Sequence, residues 1–150
     1  MLSTDSFATR IALGNSSYGT IRMPFEFVID SSAGVIRETW SGRIVIDELK
    51  QSCLQEWAHH DYRPRMKLLS DFRSATNGLD PAAAVQFAMW FGDRDPPSRH
   101  AIVVGRESGF GFAKMFGLLI DAAKQGGDAT RVFYSFQDAD DWLNGHSDHR

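Results

Sequence analysis

The sequence has one cysteine, Cys53, so no disulfide can form within the chain, and a reducing, cytoplasmic setting is expected. It has no apolar run near the roughly 20 residues that span a bilayer. Its first 22 residues also lack the apolar stretch of a secretory leader. Nor is one sign of charge dominant: a net charge of −3 gives no electrostatic reason to expect nucleic acid or an anionic membrane surface as partner. Internal repeats and low-complexity tracts are missing as well. What is present is ordinary for a globular domain, with 43% hydrophobic and 23% charged residues over 150 positions. A domain of this length hides roughly 70% of the surface of its unfolded chain, enough for one core without disulfide or metal staples.

Hydrophobic periodicity orders the chain. Residues 1–22 are rich in Ser, Thr, Gly and Asn and are expected to form a loosely held extension; residues 144–150 form a polar tail. Between them, 23–143 is one domain. Met23 to Asp30 alternates as a strand, Ser31-Ser32-Ala33-Gly34 is turn material, and Val35 to Trp40 alternates again, closed by Ser41-Gly42: an antiparallel hairpin. Leu49, Cys53 and Trp57 recur every four residues, which predicts a helix from about Asp47 to His59. Met66 to Ser70 is a short strand running into Asp71. Asp80-Pro81 starts a second helix, ended by Asp95-Pro96-Pro97. Ala101 to Val104 is apolar without alternation, as in a strand buried on both faces. A third helix is expected from about Ser108 to Gln125, stopped by Gly126-Gly127. Arg131 to Tyr134 is the last strand, and Ser135-Phe136-Gln137-Asp138 opens a short fourth helix. The fold class that follows is α/β: a mixed sheet built from an N-terminal hairpin plus three parallel strands, with four helices and right-handed crossovers.

This order resembles the SpoIIAA-like branch of the STAS family (sulphate transporter and anti-sigma-factor antagonist). The likeness rests on FEFVIDSSAGVIRETWSGRIVIDELK, MKLLSDFRSAT and AIVVGRESGFGFAKMFGLLIDAAKQGGDATRVFYSFQDADDWL, and covers about Met23 to Leu143. More distantly, the chain is similar to CRAL-TRIO lipid-binding domains. The resemblance implies a regulatory or protein-binding module. In phospho-regulated STAS domains the helix after the middle strand starts with an Asp-Ser-Ser-Gly-like motif whose serine is phosphorylated. Here the helix starts Asp80-Pro81-Ala82-Ala83, so Asp80 matches but no hydroxyl stands at the serine positions. The usual phospho-switch is not expected to work there.

In open α/β sheets ligands gather outside the carboxyl ends of the parallel strands. Two such ends supply the ligand-binding candidates. One delivers Asp71, Arg73, Thr76 and Asn77; the other delivers Arg106, Ser108 and Gly109 at a helix start whose free N–H groups suit an anion. The plainer alternative is that Ser108 only caps its helix. Gly105-Arg-Glu-Ser-Gly lacks the G-x-S-x-G spacing of a nucleophile elbow, and no catalytic residue is expected, a hydrolase being a distant alternative. Neither metal nor cofactor is expected: His59 and His60 are neighbours about 100° apart on a helix and converge only if the helix breaks there. In the Asp80 helix, Val85, Ala88, Met89 and Gly92 are assigned to the inward stripe, which turns Phe87, Trp90 and Phe91 toward other cover. That cover is an apolar ligand, the N-terminal extension or a second subunit, unless neighbouring loops and helices bury the rings. The leading expectation is therefore a protein partner, with a homodimer through Phe87, Trp90 and Phe91. The alternative is a small anionic or lipid-like ligand held by Arg73 or Arg106.

Overall fold

A computed structural model describes residues 24–94, 97–106 and 129–145. Five strands, β1 (Phe25–Asp30), β2 (Val35–Ile44), β3 (Lys67–Asn77), β4 (His100–Val103) and β5 (Thr130–Phe133), form one sheet in the order β1-β2-β3-β4-β5. Helix α1 (Ile46–Ala58) connects β2 to β3, α2 (Pro81–Gly92) connects β3 to β4, and α3 (Phe136–Leu143) follows β5. The expected helix from Ser108 to Gln125, the N-terminal extension and the polar tail lie outside the described residues.

The hairpin forms as expected: β1 and β2 pair antiparallel, with Phe27 opposite Glu38 and Ile29 opposite Ile36. Asp30 fixes the turn. Its Oδ1 accepts from the Ala33 N–H at 3.1 Å and the Ser32 hydroxyl at 3.0 Å, while Gly34, at φ +71°, gives the left-handed step that returns the chain. These bonds, the Ala33 one foremost, hold the Asp30 carboxyl below its ordinary range.

Three features differ from the sequence reading. Strand β2 does not close at Ser41-Gly42 but continues to Ile44, through a register shift between Thr39 and Ser41 and a Gly42 at φ +77°. It is also parallel to β3, so the parallel set has four strands, β2 to β5, rather than three. Strand β3 runs on to Asn77, because its second half pairs with the extension of β2 beyond the last β4 partner, Val103.

The two faces of the sheet are filled separately. On one, Phe25, Phe27, Ile36, Trp40 and Leu68 pack against Leu49 and Cys53 of α1 and against α2. On the other, Val35, Leu69, Ala101 and Val103 meet Ala139, Trp142 and Leu143 of α3. Both helix starts anticipated from sequence are capped: Asp80 accepts from the Ala83 N–H at 2.8 Å and Ser135 from the Asp138 N–H at 3.1 Å.

The face of α2 is the main correction. Its buried residues are Ala84, Phe87, Ala88 and Phe91, whereas Val85 and Met89 are 42% and 59% exposed. Phe87 and Phe91, each 4% exposed, are core residues of the monomer and offer no surface for a dimer. Two fully buried phenyl rings bring about 3–6 kcal/mol of burial. Trp90 is half-buried. It stacks on Trp57 of α1 at 5.6 Å, with Lys50 and Arg94 over its ring at 5.5 and 4.9 Å. No helix among the described residues is long and apolar enough to cross a membrane.

Candidate functional site

Among the described residues, those expected at the carboxyl ends of the strands do not assemble a free site. Asp71 and Arg73 lie within β3, two apart and so on one face of the sheet. They therefore pair with each other: the guanidinium donates to Asp71 Oδ2 at 2.7 Å and Oδ1 at 2.9 Å. This bidentate pair, hydrogen bonding first, raises the Arg73 guanidinium above its ordinary range. Asn77 accepts from the Leu79 N–H at 2.7 Å and shapes the turn into α2. Thr76 is exposed on the β3 extension. Arg106 lies over the Tyr134 ring at 4.4 Å, and Arg73 over Phe136 at 5.7 Å. Ser108 and Gly109 lie outside the described residues.

The helix does break at the histidines. Helix α1 ends at Ala58, His59 is extended, and the two imidazoles stack at 4.5 Å. Ligand atoms of His59, His60 and Asp61 then come within 4.8 Å of one another. However, His59 Nδ1 accepts from the Asp61 N–H at 3.1 Å, which in the neutral ring leaves the proton on Nε2. A metal at His59 has to displace that bond.

A different cluster stands out beneath α1 and α2. Glu38, Ser70 and His100 come from three adjacent strands and point to the same face, in phase with Ile36, Leu68 and Ile102. All three are buried. Glu38 Oε1 accepts from Trp40 Nε1 at 2.9 Å and from the Ser70 hydroxyl at 2.8 Å. Ser70 Oγ lies 2.9 Å from His100 Nε2. Since the one hydroxyl proton of Ser70 goes to Glu38, the imidazole Nε2–H is the donor to Ser70. Behind them α1 contributes Glu56, 3% exposed and hydrogen-bonded to Glu38. Burial, and then the negative charge of Glu38, push the Glu56 carboxyl well above its ordinary range. Burial likewise raises the Cys53 thiol well above its usual value.

These groups border two small cavities. The larger, about 20 Å³, is lined by Glu38, Ser70, His100 and Cys53 together with Trp40, Phe72, Phe87 and Phe91. The smaller, about 10 Å³, lies beside Glu56, Trp57, Tyr62 and Met66, and Leu68 and Phe91 wall both. Such volumes match the space of about one water each. The order of the polar run argues against acyl-transfer chemistry. A serine nucleophile gives its proton to a histidine that an acid orients; here serine is in the middle and its proton is directed at the acid.

No protein-family model matches the chain, and no curated protein matches its sequence. Among solved structures it is similar to an uncharacterized protein of the DUF3478 family with a SpoIIAA-like fold from Shewanella loihica PV-4. The identity is 16%, the match covers 85% of this chain and 99% of that one, and the TM-score is 0.54. At that identity the likeness concerns the fold and carries no function across. The chain therefore has a mixed α/β, SpoIIAA-like fold.

Proposed function

We propose that this chain is a non-catalytic binding module whose ligand is small, with an apolar body and a polar head, and sits beneath α1 and α2. One observation carries this reading: Glu38, Ser70 and His100 are buried in a hydrogen-bonded run at the wall of a cavity otherwise lined largely by rings. Polar groups in a core cost stability unless bonded, and apolar replacements for such networks are often neutral or stabilising. A fold that keeps the network has a use for it beyond stability. Apolar walls with a few convergent polar groups are also the usual make-up of a small-ligand site. The space is only about 20 Å³, so a ligand larger than a water makes room by displacing side chains such as the α2 rings Phe87 and Phe91. The test is a titration with 1-hexanol followed by NMR. The Trp40 indole N–H, assigned with Trp40→Phe, should shift saturably; an unmoved Trp40 signal while thermal stability also stays constant refutes the site.

A protein partner is the second reading, favoured by Leu54 of α1 and by Val85 and Met89 of α2, which expose apolar surface. Regulation through phosphorylation at the α2 start is not part of it, because Pro81 and Ala82 have no hydroxyl. Sedimentation velocity at tens of micromolar tests self-association: a purely monomeric species removes a second copy as the cover for these side chains.

A further inference from the structure

We infer that the head group accepted by this cavity is an uncharged or cationic hydrogen-bond donor, an alcohol or an amine, and that carboxylate and phosphate ligands are excluded. This rests on reading the cavity as a ligand site and adds the chemistry of the head. The polar end of the cavity is acidic. Glu38 arrives from β2 and Glu56 from α1, they are hydrogen-bonded to each other, and no lysine or arginine is among the described residues that line either cavity. The neighbouring donors are already committed: the Trp40 indole and the Ser70 hydroxyl to Glu38, and His100 Nε2 to Ser70.

What remains open is acceptor capacity. Glu56 Oε2 is buried and accepts no hydrogen bond from the described residues, and its carboxyl borders the smaller cavity. A buried acceptor with an open lone pair is stabilised by a donor. An anion placed there meets an acid pair with no lysine or arginine among the described residues of either cavity, in surroundings that screen charge poorly. Because Leu68 and Phe91 wall both cavities, a ligand body in the larger one reaches the acid pair once these two side chains give way. The orientation is the reverse of one in which Arg73 holds an anionic head: Arg73 is tied to Asp71, and neither residue lines a cavity.

The test compares three probes with one six-carbon chain: 1-hexanol, hexylamine and hexanoate, each titrated into the intact protein near pH 7 and read at the Trp40 indole signal. Hexanol and hexylamine should each bind at least about tenfold more tightly than hexanoate, about 1.4 kcal/mol. Glu38→Gln, which removes the negative charge of the pair, should narrow the gap between hexylamine and hexanoate while hexanol stays within about twofold of the parent, which is under 0.5 kcal/mol. Hexanoate binding as tightly as hexanol overturns the head-group assignment and leaves the cavity as a site. An unchanged amine-to-carboxylate ratio in Glu38→Gln also overturns it, since selectivity then arises away from the acid pair. No saturable response to any of the three overturns the cavity reading and this inference together.

Discussion

Glu56→Gln exchanges a carboxyl for an amide of nearly the same shape inside the core, so its effect isolates the cost of a proton. The folded state holds the Glu56 carboxyl well above its ordinary value of 4.5, through burial first and the neighbouring Glu38 charge second. In the unfolded chain the same group ionises near 4.5. The sign follows from proton binding: above pH 4.5 the folded state holds a proton that the unfolded state releases, so stability falls as pH rises. The contribution is fully present below 4.5 and is lost progressively until the folded carboxyl itself ionises. Each pH unit in that window costs about 1.4 kcal/mol, so the parent gives up as much as about 3 kcal/mol by pH 7. Glutamine has no proton to hold, and its amide N–H replaces the carboxyl as donor to Glu38. Urea denaturation followed by tryptophan fluorescence at several pH values reads this directly. Glu56→Gln should match the parent to within about 1 kcal/mol near pH 4 and exceed it by about 1–3 kcal/mol at pH 7. A variant that is less stable than the parent by the same margin at both ends shows that Glu56 bears no proton cost, and refutes the reasoning.

Cys53, buried with its thiol raised, should react with a disulfide reagent only as the protein opens, with a rate that rises with denaturant; prompt modification of the native protein contradicts its place in the core. A methyl at Gly78 lies 2.3 Å from the Ile44 carbonyl oxygen, so Gly78→Ala should cost about 1–3 kcal/mol in thermal or urea unfolding, and a neutral result means that the β3–α2 turn moves freely. Trp90→Glu removes the stack on Trp57 and should lower stability by about 2–4 kcal/mol while the sedimentation coefficient stays that of the parent; dissociation of a parent dimer would restore Trp90 to an interface.

Much of the fold is legible because its signals are local. Alternation marks Phe25–Asp30 and Val35–Trp40, and Asp80-Pro81 and Ser135 mark helix starts that the structure caps as expected. The face of α2 was not legible, because PAAAVQFAMWFG is apolar nearly all round and gives the period little contrast. Ring size decided it, by filling the space between α1 and the sheet with Phe87 and Phe91. The length of β3 was hidden for another reason: FRSATN is polar, and only its pairing with the bulged end of β2 makes it a strand. That pairing also explains why Asp71 and Arg73 form an ion pair instead of an open site. The buried cluster did leave a trace. Glu38 is in phase between Ile36 and Trp40, Ser70 follows Leu68 by two, and Glu56 follows Leu49 and Cys53 at helical spacing. A polar residue in phase with an apolar stripe is the signal that finds such a site.

The strand order β1-β2-β3-β4-β5 never reverses. In doubly wound sheets a ligand crevice opens at the carboxyl ends because two neighbouring crossovers leave in opposite directions and part there. A sheet that advances one way from β2 through β4 sends α1 and α2 over the same face, side by side, and no such parting arises between them. The space this topology offers is therefore under its helices, in the angle between two parallel crossovers and the strands below. Among the described residues, the loops at the carboxyl ends of the strands line neither cavity, whereas a change of one methyl on the inner side of α1 or α2 alters that space directly.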